Sequence, residues 1–259
     1  REGPVTWETL DEYKKVADTG DVLLFSADDT VSKMIRMAGG GPFQHVAVVV
    51  KGQPEGEEDN KKIRVLHSTS MTMTVSDGGK KSGQVMIVDL DELAEAEHGT
   101  KFFVVRKIKA DKDSTLATIQ EKLLEIANDE DTLDKLYSLG NSVPDIMRII
   151  AGFNPPDVKN FLKNKLPWFS NDENSTYVCS TFVAYALVKA GVLKDDTQFQ
   201  QYFPSDLGEE KLKEGDERFV DGVWLSEEFR VPNPLYRPEG DPVQEEGEEL
   251  ADGAEGNGG

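Results

Sequence analysis

The apolar run at residues 46–50 (VAVVV) is the strongest secondary-structure signal in this chain of 259 residues and the main constraint on its fold. Most of its side chains are β-branched, and such side chains fit the pleated, buried surface of a sheet. The polar stretch KGQPEGEEDNKK at 51–62 separates it from a second apolar run at 63–66. Because proline and glycine favour turns, we predict that the two runs form an antiparallel β-hairpin across this loop.

Strand-like runs come before helical patterns along the chain. Together with the hairpin, three further runs predict a mostly antiparallel sheet of about five strands: 22–25, 85–88 and 102–105. Apolar residues at helical spacing predict helices at 30–38, at 114–128 with Asp113 or Ser114 as its cap, and at 176–190 with its end at Gly191. Strands followed by helices, without alternation, indicate an α+β fold and not a doubly wound parallel sheet.

Acidic residues outnumber basic ones by 49 to 29, which gives a formal net charge of −20. A phosphate-binding surface needs clustered Lys and Arg, so the charge predicts no nucleic-acid partner. We expect one domain at 1–236, with a helical insert at 130–172, and a disordered acidic tail at 237–259, which is mainly Glu, Asp and Gly. No apolar run approaches the ~18 residues of a membrane helix, so no transmembrane segment is expected.

Cys179 is the only cysteine, which excludes an intrachain disulfide and a four-cysteine zinc site. Ser175 or Thr176 is a natural N-cap, so Cys179 would lie in the first turn of a helix. The partial positive charge of a helix start favours a thiolate over a thiol, and the free N–H groups there suit an oxyanion. The alternative is that Cys179 is a small apolar residue of the core.

Two of the three histidines flank the predicted hairpin. His45 directly precedes its first strand, and His67 directly follows the second, so an antiparallel hairpin would make them neighbours. A nucleophile needs a base within reach, and the base needs a third group that orients it. Cys179, His45 and His67 can supply these three roles, whereas His98 lies in a predicted surface turn.

Four segments resemble the circularly permuted papain-like amidases, the YiiX-like relatives of the NlpC-type cell-wall peptidases. They are GDVLLF at 20–25, QHVAVV at 44–49, YVCS at 177–180 and PSDL at 204–207. In that branch the histidine precedes the cysteine, as His45 precedes Cys179 here. The resemblance spans 19–207, with a looser match at 111–171, and implies a permuted papain-like fold with the catalytic cysteine at a helix N-terminus.

One position departs from this family. Many permuted members carry glutamate where this chain has His67, although unpermuted NlpC-type enzymes often use a second histidine to orient the base. A neutral imidazole would stabilise the developing imidazolium less than a carboxylate. Tyr177 and Ser180, which flank the nucleophile, are candidates for supporting the oxyanion, and a packed aromatic ring is the alternative for Tyr177.

The resemblance implies a cysteine hydrolase without a cofactor, which acts through a thiolate and an acyl-enzyme. Its substrate would be a peptide or isopeptide amide, or an acyl-lipid ester or thioester. The acyl group could be released to water or transferred to another acceptor. Residues 143–169 are rich in Ile, Met, Phe and Trp and would either cover the cleft as a lid or complete the core.

Two other classes of function stay open. Cys179, His45 and His67 are also a three-ligand set for a catalytic zinc ion, and the fold could serve as a non-catalytic binding module. The glycosylation sequon at 174–176 directly precedes the nucleophile, so we interpret it as chance and expect an intracellular protein. The chain begins with Arg1, which leaves open a longer native N-terminus and a cleaved targeting segment.

Overall fold

The computed structural model describes residues 7–28, 30–51, 63–69, 71–76, 78–133, 179–195 and 202–237. These residues form a mixed α+β structure in which a mostly antiparallel sheet packs against helices, as the sequence predicts. In the described part of the chain, no helix combines the length and the apolar character needed to cross a bilayer.

The main sheet contains six strands, and all of its pairings are antiparallel. They are β1 (Val22–Ala27), β2 (His45–Val49), β3 (Arg64–Thr69), β6 (Gln84–Asp89), β7 (Thr100–Arg106) and β10 (Phe229–Pro232). Their spatial order is β10-β7-β1-β2-β3-β6. Two small ribbons pair β4 (Met73–Thr74) with β5 (Lys80–Lys81) and β8 (Ile108–Ala110) with β9 (Val223–Leu225).

Six α-helices and one 3-10 helix are present among the described residues. They are α1 (Leu10–Val16), α2 (Thr30–Gly39), α3 (Leu90–Ala96), α4 (Asp113–Asn128), α5 (Glu130–Leu133), α6 (Cys179–Ala190) and the 3-10 helix Pro204–Leu207. The left-handed Gly191, at φ 84°, directly follows α6 and confirms its predicted end. The predicted cap of α4 is wrong, because the N-cap position is Lys112, whose side chain makes no capping hydrogen bond.

Apolar side chains fill both faces of the sheet, which explains why residues 46–50 show no alternation of polar and apolar residues. Val46 and Val48 pack in the cluster that includes α4 and α6. Ala47 and Val49 pack in the opposite cluster, with α1 and α3. Because successive side chains of a strand point to opposite faces, β2 separates the two halves of the core.

Arg106 attaches the C-terminal segment to the sheet. Its side chain is fully buried at the end of β7 and donates to the carbonyl oxygens of Leu207 at 2.7 Å, Ser226 at 2.8 Å and Leu225 at 3.1 Å. Burial lowers the pKa of this guanidinium to about 10, so it stays charged at neutral pH. The charge is therefore matched by three carbonyl dipoles, and the segment that includes residues 204–207 is held near β7.

The sequence did not predict α1, α3 or β10. The strand β10 has four residues and contains a proline, so its composition does not predict a strand. Its pairing with β7, for example Phe229↔Val105, defines it. Residues 52–62 of the predicted loop, most of the helical insert at 130–172 and the acidic tail beyond Arg237 lie outside the described residues.

Candidate active site

The sheet opens between β2 and β3 at the end that carries the two histidines. The register of this pair contains Val48↔Leu66 and Val49↔Val65. In contrast, β3 stays paired with β6 over six positions, from Arg64↔Asp89 to Thr69↔Gln84. The start of β2 therefore separates from β3, although it remains paired with β1 as far as Phe25↔His45.

His45 and His67 lie side by side at this opening. Nε2 of His45 is 3.1 Å from Nδ1 of His67, and the ring centroids are 5.3 Å apart with the planes nearly perpendicular. The predicted antiparallel hairpin brings the two residues together, although His67 lies within β3 and does not follow it. The third histidine, His98, is exposed in a turn, as predicted.

Both imidazoles are buried, and burial keeps them neutral. His45 is 8% exposed and packs against the ring of Phe25 at 5.6 Å, whereas His67 is fully buried. Loss of hydration lowers the pKa of His45 to about 4. The pKa of His67 falls well below its usual range because of burial and, secondly, the charge that His45 would carry. At neutral pH the pair therefore shares a hydrogen bond without a net charge.

One nitrogen of this pair is buried without a hydrogen bond. This atom, Nε2 of His67, has no hydrogen-bond partner among the described residues. If Nδ1 of His67 donates to His45, this Nε2 atom is a bare lone pair. If Nε2 of His45 donates instead, His67 carries its proton on Nε2, and a buried N–H is left unsatisfied. The direction of one hydrogen bond thus sets the tautomer of both rings.

Cys179 is the first described residue of α6 and is buried against the start of β2. Its Sγ atom lies 4.0 Å from the carbonyl oxygen of Gln44, and 7% of the residue is exposed. Burial raises the pKa of the thiol to about 12, even though backbone hydrogen bonds from Val46 and Ser180 favour the thiolate. The resting sulfur is therefore a thiol, in contrast to the thiolate that a helix start predicts.

The sulfur and the imidazoles approach β2 from different sides. Cys179 belongs to the cluster with Val46 on the α6 face. The ring of His45 contacts Phe25, which belongs to the opposite cluster. Among the described residues, the hydrogen bonds of Cys179 and of the two imidazoles do not connect the sulfur with either ring. The structure brings the two histidines together and places Cys179 beside the backbone that carries His45.

Gln44 connects this site to neighbouring elements, and sequence reasoning missed it. Its side-chain oxygen accepts from the N–H of Ala27 at 2.9 Å, and its side-chain nitrogen donates to Glu97 at 3.1 Å. The charge of Glu97 adds to the burial that raises the pKa of Cys179. The position of Gln44, directly before His45, was the available signal.

The two candidates for oxyanion support differ in what the structure describes. Ser180 donates its hydroxyl to the carbonyl oxygen of Tyr202 at 2.7 Å, which ties α6 to the C-terminal segment. This contact occupies the hydroxyl proton, while the backbone N–H of Ser180 faces Cys179. Tyr177 lies outside the described residues, as do the proposed N-caps Ser175 and Thr176.

The donor set shows no metal centre in the part of the chain that the structure describes. There, no three side chains of His, Cys, Asp or Glu are close enough together to hold a metal ion. The zinc alternative would need Sγ of Cys179 to face the same point as nitrogens of His45 and His67. In the structure, Nε2 of His45 and Nδ1 of His67 instead face each other at 3.1 Å.

The fold and the site define an α+β protein with a buried histidine pair beside a buried cysteine. No protein-family model matches the chain, and no curated protein matches it in sequence. Among solved structures, it is similar to the crystal structure of the metalloprotein YiiX from Escherichia coli O157:H7. The TM-score is 0.39 and the identity 18%, over 81% of this chain and 88% of that chain.

Proposed function

We propose that the protein is a papain-like cysteine hydrolase that cleaves an amide, isopeptide, ester or thioester bond through an acyl-enzyme on Cys179. The observation that supports this most is the 3.1 Å hydrogen bond between His45 and His67 at the opening of the sheet. His45 directly follows Gln44, whose carbonyl oxygen contacts Sγ of Cys179. A base with a second group that fixes its orientation is what a nucleophile of this type requires.

The hydrogen bond decides which atom of His45 acts as the base. Because Nε2 faces His67, Nδ1 is the nitrogen left for the thiol of Cys179. His67 is then a positioning residue, which accepts from Nε2 of His45 and holds the ring. The reaction needs Nδ1 and Sγ within hydrogen-bond reach. Because the sulfur and the imidazoles approach β2 from different sides, the proposal requires the start of β2 to rearrange so that Nδ1 turns toward Cys179.

The first half of the reaction forms the acyl-enzyme. Because the pKa of Cys179 is raised to about 12 and that of His45 lowered to about 4, proton transfer accompanies attack and does not precede it. Sγ bonds to the acyl carbon, its proton moves to Nδ1, and the carbonyl electrons move to oxygen. The carbonyl then re-forms, the bond to the leaving nitrogen, oxygen or sulfur breaks, and the leaving atom takes the proton from His45.

The second half releases the acyl group. Water attacks the thioester and gives a proton to Nδ1 of His45, and the S–C bond breaks as Sγ takes that proton back. Backbone N–H groups at the start of α6, including that of Ser180, would face the oxyanion in both halves. Tyr177 stays a candidate for a further donor.

A panel of fluorogenic and chromogenic probes tests this proposal. The probes are a peptide coumarin amide, an ε-linked isopeptide amide and 4-nitrophenyl acyl esters, with intact mass recording any adduct. We expect turnover of at least one probe and one acyl group on Cys179. Cys179→Ser and His45→Ala should each lower turnover by about 100-fold or more.

His98→Ala is the matched control, because this third histidine is exposed and its ring contacts the carbonyl oxygen of Glu95 and not the pair. Its turnover should equal that of the unmodified protein. The proposal is wrong if no probe turns over, or if Cys179 is acylated equally fast in His45→Ala. Binding of a probe without any adduct would support the non-catalytic binding module.

A further inference from the structure

One serine side chain satisfies both backbone polar groups of Phe43, the residue two positions before His45. The hydroxyl of Ser205 accepts from the N–H of Phe43 at 2.9 Å and donates to its carbonyl oxygen at 3.2 Å. Ser205 is 2% exposed and lies in the 3-10 helix Pro204–Leu207, 162 positions further along the chain. Such a pair of buried hydrogen bonds fixes the backbone more strictly than apolar packing would.

Neighbouring contacts hold the same loop at two more points. Gly41 lies so close to Ser205 that a Cβ atom there would come within 2.5 Å of the serine Cβ, so this approach requires glycine. Lys211 donates to the carbonyl oxygen of Gly39 and forms an ion pair with Asp206 at 3.0 Å. Residues 39–43 are therefore held by Ser205 at Gly41 and Phe43 and by Lys211 at Gly39.

This attachment compensates for the missing pairing of β2 with β3. The start of β2 is paired with β1 on one edge, because Gln44 donates its N–H to the carbonyl oxygen of Phe25 at 3.0 Å and His45 pairs with Phe25. The pairing with β3 begins at Val48. Among the described residues, the side chain of Ser205 fixes the backbone at Phe43, and the side chain of Gln44 fixes the next position through Ala27 and Glu97.

We propose that Ser205 is a positioning residue, which sets the place of His45 relative to His67 by holding Phe43. Its role in turnover rests on the proposed hydrolase function, whereas its role in the geometry of the histidine pair does not. Ser205→Ala leaves the N–H of Phe43 buried without an acceptor, so the start of β2 shifts. Because small displacements of a base lower the chemical rate steeply, we expect kcat to fall about 10- to 100-fold with KM little changed.

Ser226→Ala is a matched control. Ser226 is also buried, accepts from the N–H of Lys107 at 2.8 Å and donates to the carbonyl oxygen of Glu227 at 2.8 Å. The Ser226→Ala variant thus loses the same kind of hydrogen bonds as Ser205→Ala, but it loses them next to Arg106 and away from the histidines. Urea unfolding should show similar losses of stability in the two variants, and kcat should fall only in Ser205→Ala.

Imidazole ¹⁵N NMR on the full chain provides a readout that is independent of activity. The three histidines give separate signals, and Ser205→Ala should shift those of His45 and His67, while His98 stays unchanged. Ser226→Ala should shift none of them. Lys211→Met, at a side chain that is partly exposed, should cause a smaller shift in the same direction and replaces Ser205→Ala if that variant does not fold.

The two failures are distinguishable. If no probe turns over in the unmodified protein, the hydrolase function is wrong, and the imidazole spectra alone decide the role of Ser205. If Ser205→Ala leaves the spectra of His45 and His67 unchanged, or lowers kcat no more than Ser226→Ala does, the positioning role is wrong and Ser205 contributes only to stability.

Discussion

Nε2 of His45 lies 3.1 Å from Nδ1 of His67, and the other nitrogen of His67 is buried without a hydrogen-bond partner in the part of the chain that the structure describes. The tautomer that lets Nδ1 of His45 act as a base needs Nε2 of His45 as the donor. His67 then carries an unsatisfied buried N–H, which costs about 1–3 kcal/mol. The resting pair therefore prefers the opposite direction, with Nδ1 of His67 as the donor.

This preference predicts that His67→Asn increases activity. The side-chain oxygen of asparagine is as many bonds from Cβ as Nδ1 of histidine is, and it can only accept a hydrogen bond. The variant would hold His45 in the reactive tautomer, and kcat should rise by up to about 10-fold, since each 1.36 kcal/mol of barrier is a factor of ten. Probe turnover and the ¹⁵N shift of Nε2 in His45 measure the effect.

His67→Ala is the companion variant, because it removes the acceptor and leaves Nε2 of His45 without a partner. We expect its kcat to fall by about 10-fold or more. Equal loss of turnover in His67→Asn and His67→Ala would contradict an orienting role that depends on a hydrogen-bond acceptor.

The free energy of unfolding should decrease as the pH is lowered through the range in which free histidines become protonated and the buried ones stay neutral. The folded pKa of His45, about 4, is below the ordinary value of 6.5, so the unfolded chain binds protons more readily. The stabilisation is complete above pH 6.5 and is lost as the pH falls toward 4, by about 3 kcal/mol for this residue. His67 acts in the same direction.

Urea midpoints between pH 7.5 and 4.5 measure this dependence. The double variant His45→Gln, His67→Asn should flatten the curve, whereas His98→Gln should keep it. A midpoint of the unmodified protein that stays constant over this range would show that the histidines are hydrated or already charged in the folded state.

The buried thiol should be a slow target for alkylation. Because the pKa of Cys179 is raised to about 12, the rate with iodoacetamide should be low at pH 7 and rise continuously to pH 9.5. Protein in 8 M urea serves as the reference and should follow an ordinary cysteine pKa near about 8.5. A rate that is fast and flat from pH 5 to 8 would instead demonstrate a resting thiolate–imidazolium pair.

Replacing Arg106 should destabilise the whole fold. Arg106→Met leaves the buried carbonyl oxygens of Leu207, Leu225 and Ser226 without their donor. We expect the free energy of unfolding in urea to fall by about 3 kcal/mol or more. The control Arg218→Met, at a partly exposed ion pair with Asp216, should cost about 1 kcal/mol or less. Similar losses in both variants would contradict a central role for Arg106.

Local patterns predicted the elements that are built from contiguous residues. Residues 46–50 are apolar and mostly β-branched, and a second, mainly apolar run at 63–66 follows across a polar turn. The hairpin that joins the two histidines therefore follows from the sequence. Helix α4 and the end of α6 at Gly191 follow in the same way from apolar spacing and from the freedom of glycine at positive φ. The cap of α4 was missed because an extended Lys112 fills that position without a side-chain hydrogen bond.

The sequence by itself thus determined the α+β class, the central strands of the sheet and the nearness of His45 to His67. Only the tertiary structure decided that the pair is buried, that Cys179 lies under enough apolar surface to raise its pKa to about 12, and that Ser205 and Gln44 hold the start of β2. The physical reason is that hydration sets these properties. Hydration depends on which distant segments, such as α6 and residues 202–207, cover a side chain, and no local pattern encodes that contact.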